Sequence, residues 1–86
     1  MPQICYFLGI SIYVQFVDHN PPHIHDLYNG FQATYNLRTA TVLQGNMSKR
    51  ADRLIREWVK IRRSQLLEVW ALAKTGKRVF PVEPLE

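Results

Sequence analysis

All three histidines of this chain fall in nine residues, "DHNPPHIHD", from Asp18 to Asp26, together with two of its seven acids. His23 and His25 are separated by one residue, and two prolines stiffen the approach. In an extended strand, residues i and i+2 stand on one face, so both imidazoles can address one point. Three chemistries fit. His23, His25 and His19 or Asp18 could complete a tetrahedral set around one cation, zinc being the natural choice for imidazole and carboxylate. Two neutral imidazoles could instead act as base and acid across a phosphodiester, a metal-independent ribonuclease-like site with His23, His25 and His19 as catalytic residues and no cofactor. The plain alternative is a turn tied by Asp18 and His19 through backbone hydrogen bonds, with the other histidines solvated. The spacing ranks these readings without deciding among them.

The hairpin that must carry the histidines is legible. Asn29-Gly30 between two β-prone runs predicts a two-residue turn, because a type I′ turn needs positive φ at both positions. With Asn29-Gly30 at the tip, Tyr28 opposes Phe31, Asp26 opposes Ala33, His25 opposes Thr34 and His23 opposes Asn36. Ile24, Tyr28, Phe31, Ala33, Tyr35 and Leu37 then form the core face. His23 and His25 share the polar face with Gln32, Thr34 and Asn36. Asp26 falls on the apolar side, a conflict that a bulge or an early strand start would relieve.

Before the histidines, "ISIYVQFV" reads as a strand closed by "NPP", since proline cannot donate to a ladder. "RTATVLQ" adds a further strand after a turn near Arg38-Thr39, and "GNMS" is loop. Ser48 then caps a helix. At 100° per residue Lys49, Arg53, Arg56, Lys60 and Arg63 form one basic stripe, opposite Leu54, Ile55, Trp58 and Ile61. A straight continuation would bring Leu67 and Trp70 onto that stripe. A break near Arg63-Ser64 avoids this and starts a second apolar stripe of Leu66, Val69, Trp70 and Ala73, which Gly76 ends as a C′ residue.

The expected fold is therefore α+β: a small antiparallel sheet of three to four strands, followed by one or two C-terminal helices packed on one face. The 86 residues form one domain, with a sheet half at 1–45, a helical half at 48–76 and an extended tail at 77–86. A chain this short builds a modest core, so a homodimer is one expected means of added burial.

Charge is divided. Residues 1–37 hold two acids and no Lys or Arg; residues 38–86 hold all eleven bases and five acids, a net of +6. The basic stripe, with Arg50 beside it, suits an anionic partner, either RNA or an acidic protein. Cys5 is the single cysteine, which excludes an internal disulfide and points to a cytoplasmic home. The run "ICYFLGISIYVQFV" is too short to cross a bilayer and lacks the positive start of a signal peptide, so no membrane role is expected.

"DHNPPHIH", the opening "MPQICYFLGISIYV", and the later "LQGN", "EWV", "LLEVW" and "VEPLE" together resemble the bacterial family called domain of unknown function 4160. The resemblance runs over nearly the whole chain. It implies a small single-domain cytoplasmic protein, encoded beside a second small protein in a pair similar to a toxin–antitoxin module. On that basis the chain is expected to be the toxin-type component, acting on or binding RNA, with the small antitoxin-like protein as partner. The positions carried over are His19, Pro21, Pro22, His23, His25, Glu57 and Trp58. The chain departs from the family pattern where relatives read "ELHREELLENW" and it reads "KIRRSQLLEVW", placing Arg62, Ser64 and Gln65 where a His and two Glu are usual. Asp26 stands where an apolar residue is usual. The rival expectation is a non-catalytic module whose basic helix docks an acidic protein; a metal-binding domain is the third.

Overall fold

A computed structural model describes residues 2–85. Among the described residues, five strands, β1 (Gln3–Phe7), β2 (Ile10–Tyr13), β3 (His23–Tyr28), β4 (Phe31–Asn36) and β5 (Thr41–Gly45), precede a single helix, α1 (Lys49–Lys74). Each strand pairs antiparallel with its sequence neighbour, giving the meander β1-β2-β3-β4-β5. The chain is thus α+β, with five strands rather than three or four. The additional strand is β1. It joins β2 through Leu8-Gly9, both at positive φ. Leucine is an unfavoured residue for that conformation, so the usual turn signal is missing from the sequence.

The β3–β4 hairpin has the register expected from Asn29-Gly30: Tyr28 opposes Phe31, Asp26 opposes Ala33, and His23 opposes Asn36. Asn29 and Gly30 both have positive φ, as a type I′ turn requires. Ile24, Ala33, Tyr35 and Leu37 are buried on the core face, whereas Phe31, near the tip, is exposed. No bulge relieves Asp26. It stays in register on the core face, buried, and neither carboxylate oxygen has a hydrogen-bond partner among the described residues.

Helix α1 lies on that core face. Tyr35 donates from its hydroxyl to Asp52 Oδ1 at 2.7 Å, and Phe7 packs on Trp58 with ring centroids 5.4 Å apart. Ser48 is the N-cap, its hydroxyl accepting from Ala51 N–H. Asp52, one place late for a capping box, receives the Tyr35 and Arg56 donors instead. The C-terminus closes as a Schellman motif: Gly76 N–H donates to Ala73 O and Lys77 N–H to Leu72 O, with Gly76 at positive φ.

The helix is kinked at Arg62, whose φ of −102° and ψ of 15° leave the helical region. That is within two residues of the break the stripes require. The kink lets Trp58 and Val59 before it, and Leu66, Val69, Trp70 and Ala73 after it, all face the sheet. Ile61 differs from expectation: with Val59 turned inward, it is 56% exposed. Residues 77–85 run back over the core. Val82 is buried, its N–H donates to Ile4 O at 2.8 Å, and Trp58 Nε1 donates to Glu83 O at 2.7 Å. Among the described residues, no helix is long and apolar enough to cross a membrane.

Candidate metal centre

Pleating sends the side chains of β3 alternately to the two sheet faces. Ile24 and Asp26 point to α1. His23 and His25 point away from it and lie side by side, ring centroids 5.1 Å apart. The segment between Tyr13 and His23 folds over this outer face and brings Asp18 down to them. Its Asn20–Pro21 peptide is cis. Asp18 Oδ2 lies 2.9 Å from His23 Nε2 and 3.5 Å from His25 Nε2. The three ligand atoms lie within 4.8 Å of one another. They line one wall of an open depression of about 380 Å³, completed by Thr34 and by Leu43 and Gln44 of β5.

One hydrogen bond places a proton on the His23 ring. His23 Nδ1 sits 2.7 Å from Pro21 O. A carbonyl oxygen only accepts, so Nδ1 carries the proton and donates. In neutral imidazole Nε2 then holds a lone pair, and that lone pair faces a carboxylate oxygen at 2.9 Å. Two acceptors at this distance need a positive species between or beside them: a second proton on the ring, or a cation. His25 Nε2 is buried and has no hydrogen-bond partner.

The electrostatics favour an ionised Asp18 carboxylate beside the histidine rings. Burial pushes the Asp18 carboxyl upward, but the His19 backbone N–H, at 2.9 Å, and the neighbouring His23 and His25 outweigh it and hold the pKa below its ordinary value. Burial lowers the His25 pKa, against the raising influence of Asp18. His25 is therefore biased toward its neutral, ligating form.

His19 stands apart. Its ring is 93% exposed, with Nδ1 3.3 Å from Asp18 Oδ1, the oxygen turned away from the other histidines. The turn-tying role expected of Asp18 and His19 is present in that backbone hydrogen bond. The basic stripe stands further apart still, because α1 covers the opposite face of the sheet. It is also partly engaged. Arg56 donates to Asp52 Oδ2 and Ala40 O, and Arg63 donates from Nε to Leu37 O. Lys49, Arg50, Arg53 and Lys60 are exposed. Glu57 is exposed in the same helix, bordering a shallow depression with Arg53, Lys60 and Ile61. Sequence reasoning did not find the Pro21 carbonyl that orients His23, nor Leu43 and Gln44, because each depends on how the loop and β5 fold against β3.

The fold and site define a small α+β protein: a five-stranded meander, backed on one face by a kinked helix, with a two-histidine, one-carboxylate cluster on the other. The profile of the family described as domain of unknown function (DUF4160) matches residues 9–71, which include the whole cluster, and the chain belongs to that family. No curated protein and no solved structure matches.

Proposed function

We propose that this chain is a metal-binding protein in which Asp18, His23 and His25 hold one divalent transition ion of the zinc class, with a coordination position left open to the depression beside β5. The observation that supports this is the position of His23 Nε2, 2.9 Å from Asp18 Oδ2 while Nδ1 donates to Pro21 O, a geometry that a cation shared by the two atoms would satisfy. An imidazole whose second nitrogen donates to a backbone carbonyl is the usual arrangement of a histidine ligand. Tetrahedral bonds of about 2.0–2.1 Å place ligand atoms roughly 3.3 Å apart. The two separations from Asp18 Oδ2, 2.9 and 3.5 Å, bracket that value, and the three ligand atoms all lie within 4.8 Å of one another. Three protein ligands with a free position are the hydrolytic pattern, whereas structural zinc takes four. An ion there would supply Lewis acidity and a nucleophilic water near neutral pH.

A toxin-type role directed at RNA, the reading that the family resemblance suggests, is proposed as a second layer. Its support is the row of exposed cations Lys49, Arg53 and Lys60 on the outer side of α1, a surface suited to phosphates. It is separate from the metal cluster, so the two properties are separable by mutation.

Zinc titration by calorimetry after chelation and dialysis tests the first reading. One ion per chain is expected, and His23→Ala or His25→Ala should each weaken binding by more than about 100-fold, while His19→Ala leaves it nearly unchanged. Wild-type binding no tighter than millimolar, or an unaltered His23→Ala, would refute the centre. For the second layer, RNA affinity should fall steeply with salt and lose slope in an Arg53→Ala, Lys60→Ala double variant. Growth on induced expression that matches an empty-vector control would refute the toxin-type role.

A further inference from the structure

The loop between β2 and β3 turns about the end of the sheet, and two consecutive residues of it reach opposite sides. Asp18 lies against His23 and His25 on the outer face. Val17, one residue earlier, donates its backbone N–H at 2.8 Å to Ala73 O, in the last turn of the helix that covers the core face. Among the described residues, 16–21 make no other backbone–backbone hydrogen bond. Val14 N–H, donating to Pro2 O, anchors the chain before this stretch, and Pro22 O, accepting from Leu37 N–H, anchors it after.

Val17 has a φ of 55°, in the left-handed region that a β-branched residue rarely adopts. Its side chain is 76% exposed, so apolar packing does not hold it there. An unfavoured backbone conformation persists where its surroundings impose it. Ala73 supplies the constraint. Its carbonyl is one of the last four of α1, which have no partner within the helix. It accepts from Gly76 N–H at 3.0 Å and has a second lone pair for Val17. Beyond Val17, Asp18 Oδ1 accepts from His19 N–H at 2.9 Å, which leaves Oδ2 turned toward His23 Nε2.

We propose that the hydrogen bond from Val17 to Ala73 positions Asp18, joining the outer-face cluster to the last turn of α1 as one unit. Val17 is a positioning residue: it is not among the ligands and acts through Asp18. Opening of this bond frees the Asp18 arm and withdraws one of the three ligand atoms from the histidines. Coupling of this kind is reciprocal, so an ion held by Asp18, His23 and His25 steadies the Val17–Ala73 bond in turn. That reciprocal effect rests on the metal-binding reading, whereas the positioning of Asp18 applies to the ion-free chain as well.

Replacing the Val17 amide by an ester, in the full chain made by total chemical synthesis, removes the N–H and keeps the side chain. The same replacement at Val82, whose N–H donates to Ile4 O at the same 2.8 Å, controls for a general loss of stability. In chelator, nuclear Overhauser contacts between the Asp18 Hβ protons and the His23 ring report where the carboxylate lies. They should be present in the wild type and the Val82 ester and lost in the Val17 ester. In zinc titrations the Val17 ester should bind about 3–10-fold more weakly, the worth of one hydrogen bond, and the Val82 ester within about two-fold of the wild type. Val17→Asn, which keeps the N–H and tolerates positive φ, should match the wild type in both measurements. Saturating zinc should slow exchange of the Val17 amide proton. A Val17 ester that keeps the contacts in chelator, a Val82 ester that loses them too, or a Val17→Asn variant as impaired as the ester would each overturn the positioning role. A Val17 amide whose exchange is unaltered by bound zinc would overturn the reciprocal coupling. A wild type that binds no zinc would refute the metal centre instead, and the contacts in chelator would still decide the role of Val17.

Discussion

Replacing Asp26 should make this protein more stable. Its carboxylate is 1% exposed, both oxygens lack partners, and it faces the core between Ile12 and Ala33 in the sheet register. A buried polar group without a hydrogen bond costs about 1–3 kcal/mol, and an apolar side chain of similar size recovers that cost. Valine also suits a strand better than aspartate. Asp26→Val should therefore gain about 1–3 kcal/mol, and at roughly 4–8 °C per kcal/mol for a domain of this size the melting temperature should rise by about 5–20 °C. Burial pushes the Asp26 carboxyl well above 3.8. The folded state therefore keeps a proton that the unfolded chain releases above about pH 4. This group's contribution to stability is greatest below that pH and declines as pH rises toward the folded value, so the gain from valine should be larger at pH 7 than at pH 4. Asp26→Asn separates the two effects: it removes the pH slope while leaving polar atoms unsatisfied. Thermal melts in chelator at pH 4, 5.5 and 7 provide the measurement. A valine variant no more stable than wild type at pH 7, or an asparagine variant with the full pH slope, would refute the assignment of Asp26 as an unpartnered core carboxyl.

Zinc affinity should decline as pH falls below about 6.5, because protons compete for imidazole ligands. Burial lowers the His25 pKa, so that ring should resist protonation to a lower pH than a free imidazole. Calorimetric titrations at pH 7.5, 6.5 and 5.5 measure this, and binding independent of pH would implicate ligands other than histidine. Tyr35→Phe removes the 2.7 Å bond to Asp52 and should cost about 1–2 kcal/mol in urea unfolding, with zinc binding unchanged because Tyr35 faces the helix. An equal loss of zinc affinity would contradict the separation of the two faces.

The hairpin was legible because its signals agree. Asn29-Gly30 fixes a turn, the turn fixes the register, and alternation then places Ile24 inward with His23 and His25 outward. The helix kink was legible for a similar reason, since one straight helix cannot bury both Trp58 and Trp70. What escaped reading depended on contacts distant in sequence. β1 was not assigned, because Leu8-Gly9 has no favoured turn residue at its first position to mark a hairpin before Ile10. Asp26 looked like an error of register because an unpartnered core carboxyl contradicts local pattern, yet it is where the register puts it. The distance between the basic stripe and the histidines was not legible, because it depends on how α1 docks on the sheet. The stripe itself was overcounted: Arg56 and Arg63 reach carbonyls at Ala40 and Leu37, and those distances are settled only when α1 docks.

The tail that covers β1 also has a consequence for the order of assembly. The five strands are joined in sequence order, and each pair can close soon after it is synthesised. The Val82–Ile4 and Glu83–Trp58 contacts join segments that emerge from the ribosome far apart in time. On a growing chain, the β1 edge and the Trp58 indole must therefore wait for residues 82 and 83 before they are covered. A ribosome stalled before residue 82 would present a sheet with both edges open, the form most apt to pair with a neighbouring nascent chain.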